Sequence, residues 1–178
     1  MGNEAAELEP QIRRQAIEVE LQRIEESAKY SAQIQFEAAK HWRGANLALG
    51  LPASVLAAVA GATALADVTS PVVAGVLALA SAGFGAILTT VNAAHRMSEA
   101  TSAANAYLEI QTAARQARLI DLPYQSIDES RATLAERTAR RDEQNKNVDP
   151  PSGRAYRKGS NNIASGGQSY AVDSRPPD

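Results

Sequence analysis

The stretch GANLALGLPASVLAAVAGATALA, from Gly44 to Ala66, contains no charged residue in 23 positions. Charged residues make up 21% of the chain, so a run of this length arises by chance with a probability of roughly half a percent. A second uncharged run, from Val68 to Ala94, follows directly after Asp67. As a helix, each run is long enough to cross a hydrocarbon core of about 30 Å. The fold therefore depends on whether these helices lie in a membrane or in a protein core.

The composition of both runs favours the membrane. A helix of a soluble bundle normally keeps a polar stripe towards water, whereas neither run carries a charge on any face. The first run, with seven Leu and Val residues, is only marginally apolar. We therefore predict an all-α integral membrane protein in which a two-helix transmembrane hairpin spans about 44–66 and 71–94, with long cytoplasmic helices packed at its base. A buried hairpin in a soluble helical protein is the alternative.

The distribution of basic residues predicts the orientation of this hairpin. Between the spans lies the short turn-forming segment from Ala66 to Pro71, which contains no Lys or Arg. Basic residues instead flank the outer ends of both spans, so the positive-inside rule places both termini in the cytoplasm. The predicted membrane-interface residues are Lys40, His41, Trp42, Arg43, His95 and Arg96.

Small residues recur at every fourth position of both spans. Such ridges let helices approach closely in lipid and are typical of helix–helix contacts, although an Ala-rich sequence also produces them by accident. We predict that these ridges pack helices within the hairpin and between copies of the chain, which makes a homo-oligomer the expected state. The predicted helix-packing residues are Gly50, Ser54, Ala58 and Ala62 in the first span, and Ala74, Ala78, Ala82 and Ala86 in the second.

The segments outside the two spans are predicted to form helices, with disorder at the two ends of the chain. Residues 1–9 are predicted to be disordered, and residues 10–43 to form a cytoplasmic amphipathic helix. Its heptad seam, with alternating steps of four and three, consists of Ile17, Leu21, Ile24, Ala28, Ser31, Gln35, Ala38 and Trp42. Residues 95–147 are predicted to form two more helices. The first extends the second span without a break, and the second begins at a capping box, Ser126 to Glu129. Residues 148–178 are predicted to hold a short helix and a mostly disordered tail.

Composition excludes several classes of function. The chain has no cysteine, and its net charge of −2 and 4% aromatic content argue against nucleic acid as a partner. No arrangement of residues typical of an enzyme is present, and we expect no catalytic residue, cofactor or metal. His41 and His95 are predicted to lie at similar depth, where two imidazoles respond to pH or make a weak metal site, or serve no special role at the interface.

Two polar residues inside the spans are candidates for a functional role. Asn46 and Asn92 are both predicted to lie about one turn in from the cytoplasmic boundary. Polar groups at membrane depth face protein or water rather than lipid. The pair is therefore predicted to line a pore, or else to form hydrogen bonds with a neighbouring helix.

The order of these parts resembles the SLATT domain. The shared features are a cytoplasmic amphipathic helix, a tight two-span hairpin, a long helix, a charged helix and an approximate A-Y-x-K-x-x-x-x-I-x-x-G pattern. The residues that match this pattern are Ala155, Tyr156, Lys158, Ile163 and Gly166. The resemblance covers roughly residues 15 to 170. SLATT domains are associated with SMODS nucleotidyltransferases and SLOG sensors in bacterial conflict systems, where they are thought to act as pore-forming effectors that respond to nucleotide signals.

This resemblance implies a function that the residues alone do not. It implies an oligomeric, pore-forming effector in the bacterial inner membrane that acts on the host's own bilayer in anti-phage defence. A nucleotide-signalling protein is then an expected partner, besides the lipid bilayer. A membrane-anchored helical scaffold or adaptor without pore activity is the alternative.

Overall fold

A computed structural model describes residues 2–65 and 71–169, with side chains from residue 8 onward. These residues form helices joined by short turns and contain no strand, which confirms the all-α prediction. The helices are α1 (Gly2–Leu65), α2 (Pro71–Val91), α3 (Ala93–Gln116), a π-helical turn (Ala117–Asp121), α4 (Ile127–Asn147) and α5 (Gly153–Ala164). The turn predicted between the spans falls on residues 66–70, outside the described part.

The chain divides into two compact units. The core unit comprises Met1–Glu37 and Ala100–Asp178, and the apolar unit comprises Ala38–Glu99. Each unit has its own internal packing. The apolar unit contains both stretches that the sequence assigns to the membrane, whereas most of the charged residues belong to the core unit.

Helix α1 is longer than predicted. It begins at Gly2 rather than near Pro10, and it continues through Arg43 into the first apolar run. Pro52 does not end it, because a proline removes one hydrogen bond from a helix whose other backbone bonds persist. The predicted cytoplasmic helix and first span are therefore parts of one helix.

The residues buried along α1 match the predicted heptad seam in its first part and only partly match it further along the helix. Ile17, Leu21, Ile24 and Ala28 are buried, as the heptad pattern predicts. After Ala28 the seam residue Gln35 is still buried, but Ala32 is buried where Ser31 was predicted, and Ala39 is buried where Ala38 was predicted. A straight helix with 3.6 residues per turn drifts by about 20° per heptad. The heptad prediction is therefore correct from Ile17 to Ala28 and again at Gln35, and it is wrong at Ser31 and Ala38.

The prediction that one uninterrupted helix continues from the second span into the following segment is wrong at Asn92. Helix α2 ends at Val91, and α3 begins at Ala93. Between them Asn92 has a φ of 50°, in the left-handed region. Asparagine is one of the few residues other than glycine that adopts this conformation readily. The sequence pattern does not reveal the break because the residues on both sides favour a helix.

The core unit is built around a contact between α1 and α3. The core of this unit consists of Ile17, Leu21, Ile24, Ala28, Ala32, Tyr107, Ile110, Ala114, Ala117, Leu122 and Leu134. Helix α3 contributes Tyr107, Ile110 and Ala114 to this core. Beside the core, both Nε and Nη2 of Arg118 donate to Oε2 of Glu25, at 3.2 and 3.0 Å. This half-buried ion pair links α1 to the π-helical turn that follows α3.

The side chain of Arg14, in α1, forms hydrogen bonds with the segment between the π-helical turn and α4. The last turn is π-helical, and the Leu122 amide donates to the Ala117 carbonyl, five residues earlier. The Arg14 guanidinium donates to the Leu122 carbonyl through Nη1 and to the Gln125 carbonyl through Nη2, the second bond at 3.0 Å. These carbonyls have no partner within a continuing helix, and a charged donor satisfies them.

The predicted capping box at the start of α4 is confirmed. The Ser126 hydroxyl accepts from the Glu129 amide, and the Glu129 carboxylate accepts from the Ser126 amide at 2.9 Å. Hydrogen bonds from Ser126 lower the pKa of Glu129. A lowered pKa adds stability above the ordinary carboxyl pKa, and this stability is lost as the pH falls through the lowered value.

Helix α4 also bonds to α3 through a tyrosine. The Tyr107 hydroxyl donates to Oδ1 of Asn145 at 2.7 Å, and burial raises the pKa of Tyr107. The phenol is therefore expected to remain a hydrogen-bond donor up to a higher pH than a free tyrosine. The stability that depends on the neutral phenol is complete below pH 10 or so and is lost as the pH rises through the raised value.

Helix α5 packs on α1 at very short range. A Cβ atom placed on Gly159 would lie 2.8 Å from Cγ1 of Ile34 and 2.9 Å from its Cα. Ala155, one turn earlier, is also buried against the core unit. Only small side chains at these two positions allow the two backbones to approach this closely. The short helix predicted near residues 154–163 is thus present as α5.

Candidate functional site

The apolar surface of the apolar unit is the main candidate for function. Within the described residues, two helical stretches, in Leu8–Leu65 and Pro71–Asp121, are long and apolar enough to cross a membrane. Their most apolar 18-residue windows are only 6% and 0% buried in the structure. The exposed large apolar residues here include Leu47, Leu51, Val55, Val59, Leu65, Val72, Val73, Val76, Leu79 and Ile87.

This exposure distinguishes the two apolar windows from the core helices of a soluble protein. A core helix buries its apolar face against the rest of its own protein, as α1 does along Ile17, Leu21 and Ile24. Within the described residues, the chain provides no comparable cover for the two apolar windows. A contiguous apolar surface of this kind marks a site for lipid or for another protein.

The two helices contact each other along one narrow face. The Ser81 hydroxyl of α2 donates to the Ala53 carbonyl of α1 at 2.7 Å. A Cβ atom placed on Gly50 would lie 3.7 Å from Cδ2 of Leu88, an ordinary van der Waals distance. Apart from Gly85, the half-buried residues of α2 recur at steps of three and four: Ala74, Leu77, Ser81, Phe84, Leu88 and Val91. The contact therefore follows the helical repeat and not a strict step of four.

The predicted small-residue ridges contribute only in part to this contact. Gly50 and Ala74 are half-buried, whereas Ser54, Ala58, Ala62, Ala78, Ala82 and Ala86 are exposed. A step of four residues rotates around a helix by about 40° per turn, so one ridge cannot stay on one narrow face. Most of the predicted helix-packing residues thus lie on the open surface, where a second copy of the chain has access to them.

A shallow groove opens between the two helices. It is lined almost entirely by alanine and glycine: Ala57, Ala60, Gly61, Ala64, Ala74, Gly75, Ala78, Ser81 and Ala82. Three predicted ridge residues, Ala74, Ala78 and Ala82, belong to this lining. Small side chains leave the backbones accessible, as is typical of close helix contacts in membranes.

Four hydroxyl groups on these helices, unlike that of Ser81, bond to the backbone of their own helix. Ser54 donates to the Gly50 carbonyl at 2.9 Å, and Thr63 donates to the Val59 carbonyl at 2.9 Å. Thr89 and Thr90 donate to Gly85 and Ala86 in the same way, at 2.9 and 2.8 Å. Such bonds satisfy a polar side chain without water or a partner helix. These hydroxyls are therefore compatible with surrounding lipid.

The two asparagines predicted to line a pore occupy different environments. Asn46 is half-buried, whereas Asn92 is exposed at the break between α2 and α3. The left-handed backbone of Asn92, with its φ of 50°, gives this residue a structural role besides its polarity. Apart from glycine, few residues accept this conformation as readily as asparagine.

The predicted interface residues form two separate groups of contacts. The Arg96 guanidinium carbon lies 5.2 Å from the centroid of the Trp42 ring, and the His41 ring lies 5.5 Å from it. A cation over a tryptophan face at this distance is attracted by the ring quadrupole. The contact joins α1 to α3, where the sequence predicts the membrane interface. Sequence spacing suggested the depth of these residues but not this pairing.

The two histidines do not form a joint site. His95 pairs with Glu99, with 3.1 Å between Nε2 and Oε1, whereas His41 contacts Trp42. Lys40 and Arg43 are exposed beside them. Across residues 2–65 and 71–169, no group of three or more histidine or carboxylate residues is placed to hold a metal ion.

The five residues that match the A-Y-x-K-x-x-x-x-I-x-x-G pattern are of two kinds: some shape helix α5, and the others face outward. Gly166 has a φ of 86° and ends α5 in a Schellman motif, in which the Gly167 amide donates to Asn162 and the Gly166 amide to Ile163. Ala155 is buried and Ile163 is half-buried, whereas Tyr156 and Lys158 are exposed. The small and apolar members of the pattern thus shape α5, and its polar members face outward.

Comparison with protein-family models, with curated protein sequences and with solved structures finds no match to this chain.

Proposed function

We propose that the chain is a two-span integral membrane protein of the SLATT type, in which the apolar unit crosses the bilayer as an antiparallel hairpin and both termini lie in the cytoplasm. The proposal rests on the exposure of the two apolar windows, which are only 6% and 0% buried. The core unit, in contrast, has a conventional apolar core. Exposed apolar surface on this scale is unfavourable in water by about 25 cal/mol per Å². A bilayer removes this cost.

Two further observations support insertion. The hydroxyls of Ser54, Thr63, Thr89 and Thr90 are satisfied by backbone carbonyls, as lipid-facing polar groups must be. The contacts of Ala53 with Ser81, and of Gly50 with Leu88, pair earlier residues of α1 with later residues of α2. That order supports two antiparallel helices.

The proposed activity is that of a pore-forming effector. Copies of the chain assemble through the exposed ridges and the groove of small residues, and activation opens a path across the host's inner membrane. By the resemblance, the trigger is a nucleotide-signalling partner in a bacterial defence system. Asn46 and Asn92 are the amide-bearing residues of the two spans, and they are proposed to face that path.

A membrane-anchored scaffold is the second candidate, and one observation favours it. The hydroxyls on the spans bond internally and leave few polar groups for a water-filled lumen. In this alternative the apolar unit is only an anchor, and the core unit binds a partner. The two candidates differ in whether the wild-type chain depolarises the membrane.

We expect overexpressed wild-type protein to dissipate the membrane potential, measured with a potential-sensitive dye in growing cells. Asn46→Leu combined with Asn92→Gly is expected to abolish depolarisation, since an apolar constriction gates by dewetting. Glycine is chosen at position 92 because it removes the amide and still accepts the φ of 50°.

The matched control is Asn105→Leu combined with Asn147→Leu, which changes two exposed asparagines of the core unit and is expected to depolarise like the wild type. Membrane insertion must be equal in all three proteins. A wild-type chain that inserts but never depolarises, even with its nucleotide-signalling partner, would refute the effector and favour the scaffold.

A further inference from the structure

Helix α5 carries a face of uniform positive charge. Arg154, Arg157 and Lys158 are exposed, and the helix contains no acidic residue. Positions i, i+3 and i+4 lie on the same side of a helix, so the three cations form one cluster, termed here the α5 basic face. Within the described residues, none of the three makes an ion pair.

The orientation of this face is fixed by the opposite side of α5. Gly159 lies against the backbone of Ile34, and Ala155 is buried. The Ser152 hydroxyl caps the start of the helix and the Gly166 turn closes its end. Because the docked side has no room for rotation, the basic face is held outward, and its three side chains are presented together.

We propose that the α5 basic face binds the phosphate headgroups of anionic lipids. This inference rests on the proposed membrane location of the chain. Ile34, the residue on which α5 docks, precedes the predicted interface anchor Trp42 by eight positions in the sequence of α1. Arginine presents a planar fork of donors that matches a phosphate, and clusters of basic residues near a membrane surface are attracted to anionic leaflets.

The charge of the whole chain favours a lipid over a nucleic acid as the occupant. The net charge is −2, so the chain as a whole does not attract a long polyanion. Individual headgroups require only a local cluster. Three cations on about one turn of helix match that requirement.

The test uses the full chain reconstituted in vesicles of phosphatidylcholine, with or without phosphatidylglycerol. Because the chain has no cysteine, Asn161→Cys provides a single labelling site at an exposed position beside the basic face. A fluorophore at this site is read against a quencher attached to lipid headgroups. We expect quenching to rise with the phosphatidylglycerol content and to fall when salt is added.

Arg157→Gln combined with Lys158→Gln is expected to weaken the response to anionic lipid by about 25-fold, because each basic residue near an anionic leaflet contributes about fivefold. The matched control, Arg131→Gln combined with Lys146→Gln, removes the same charge from exposed positions of α4. This control is expected to respond like the wild type.

Several outcomes decide against the proposal. Equal quenching in both vesicle types, or equal loss in the α4 control, would overturn it. A response to inorganic phosphate in vesicles of phosphatidylcholine alone would assign the face to a soluble anion instead. Alkaline extraction of the same vesicles tests the proposed function separately: if the chain is extracted, the membrane location fails, and flotation with anionic vesicles still tests the basic face.

Discussion

Replacing Gly159 by alanine is expected to detach α5 from α1. The added Cβ would lie 2.8 Å from Cγ1 of Ile34 and 2.9 Å from its Cα. The Ile34 side chain can rotate away, but its backbone belongs to a long helix and cannot. Overpacking of this kind costs about 1–3 kcal/mol, so amide hydrogens in Gly153–Ala164 are expected to exchange about tenfold faster or more.

Gly153→Ala is the matched control for this substitution. It makes the same chemical change in the same helix, where the added methyl group meets nothing within 4 Å. Alanine is favoured over glycine in helices by up to about 1 kcal/mol, so exchange in α5 is expected to slow or stay constant. If both variants exchange at the same rate, α5 does not pack on α1 through Gly159.

Leu79→Arg is expected to have the largest effect on membrane insertion. Leu79 lies near the middle of α2 and is 75% exposed. On an insertion scale, exchanging leucine for arginine at the centre of a span costs about 3 kcal/mol, or more than about 100-fold. The fraction of the chain that resists alkaline extraction from membranes should fall accordingly.

Leu119→Arg makes the same exchange in the core unit, at a residue that is 56% exposed. It is expected to leave insertion unchanged, because the account places this residue in water. In a soluble protein both substitutions would fall on exposed surface and have similarly small effects. A normal insertion level for Leu79→Arg would therefore argue that α2 does not cross the bilayer.

Local patterns predicted the helices of this chain well. The capping box from Ser126 to Glu129 correctly predicts the start of α4, because its reciprocal hydrogen bonds involve residues only three positions apart. The seam residues Ile17, Leu21 and Ile24 were identified for a similar reason, since a short apolar repeat directly reflects one helix face. Such features depend on neighbours in the sequence.

Features that depend on distant partners were missed. The clash-free approach of Gly159 to Ile34 joins residues that no local pattern connects. The same holds for the bonds from Arg14 to the Leu122 and Gln125 carbonyls, which close a π-helical turn. The break at Asn92 was missed because its left-handed backbone is one of several conformations open to asparagine.

The candidate site was predicted in outline only. The two uncharged runs indicated helices long enough to span a membrane, and the structure contains them. The four-residue ridges match the contact between α1 and α2 only in part, because a helix rotates out of a strict step of four. The pairing of Arg96 with Trp42 needed coordinates, since depth alone does not specify which side chains meet.

The central claim is that the apolar unit crosses the membrane twice and leaves both termini in the cytoplasm. Since the chain lacks cysteine, single cysteines at Val68 and at Ser98 allow each side to be probed in intact cells with a membrane-impermeant maleimide. The account predicts that the cysteine at position 68 is modified from outside, whereas the cysteine at position 98 reacts only after the cells are opened. Protection of both positions in intact cells would contradict the hairpin.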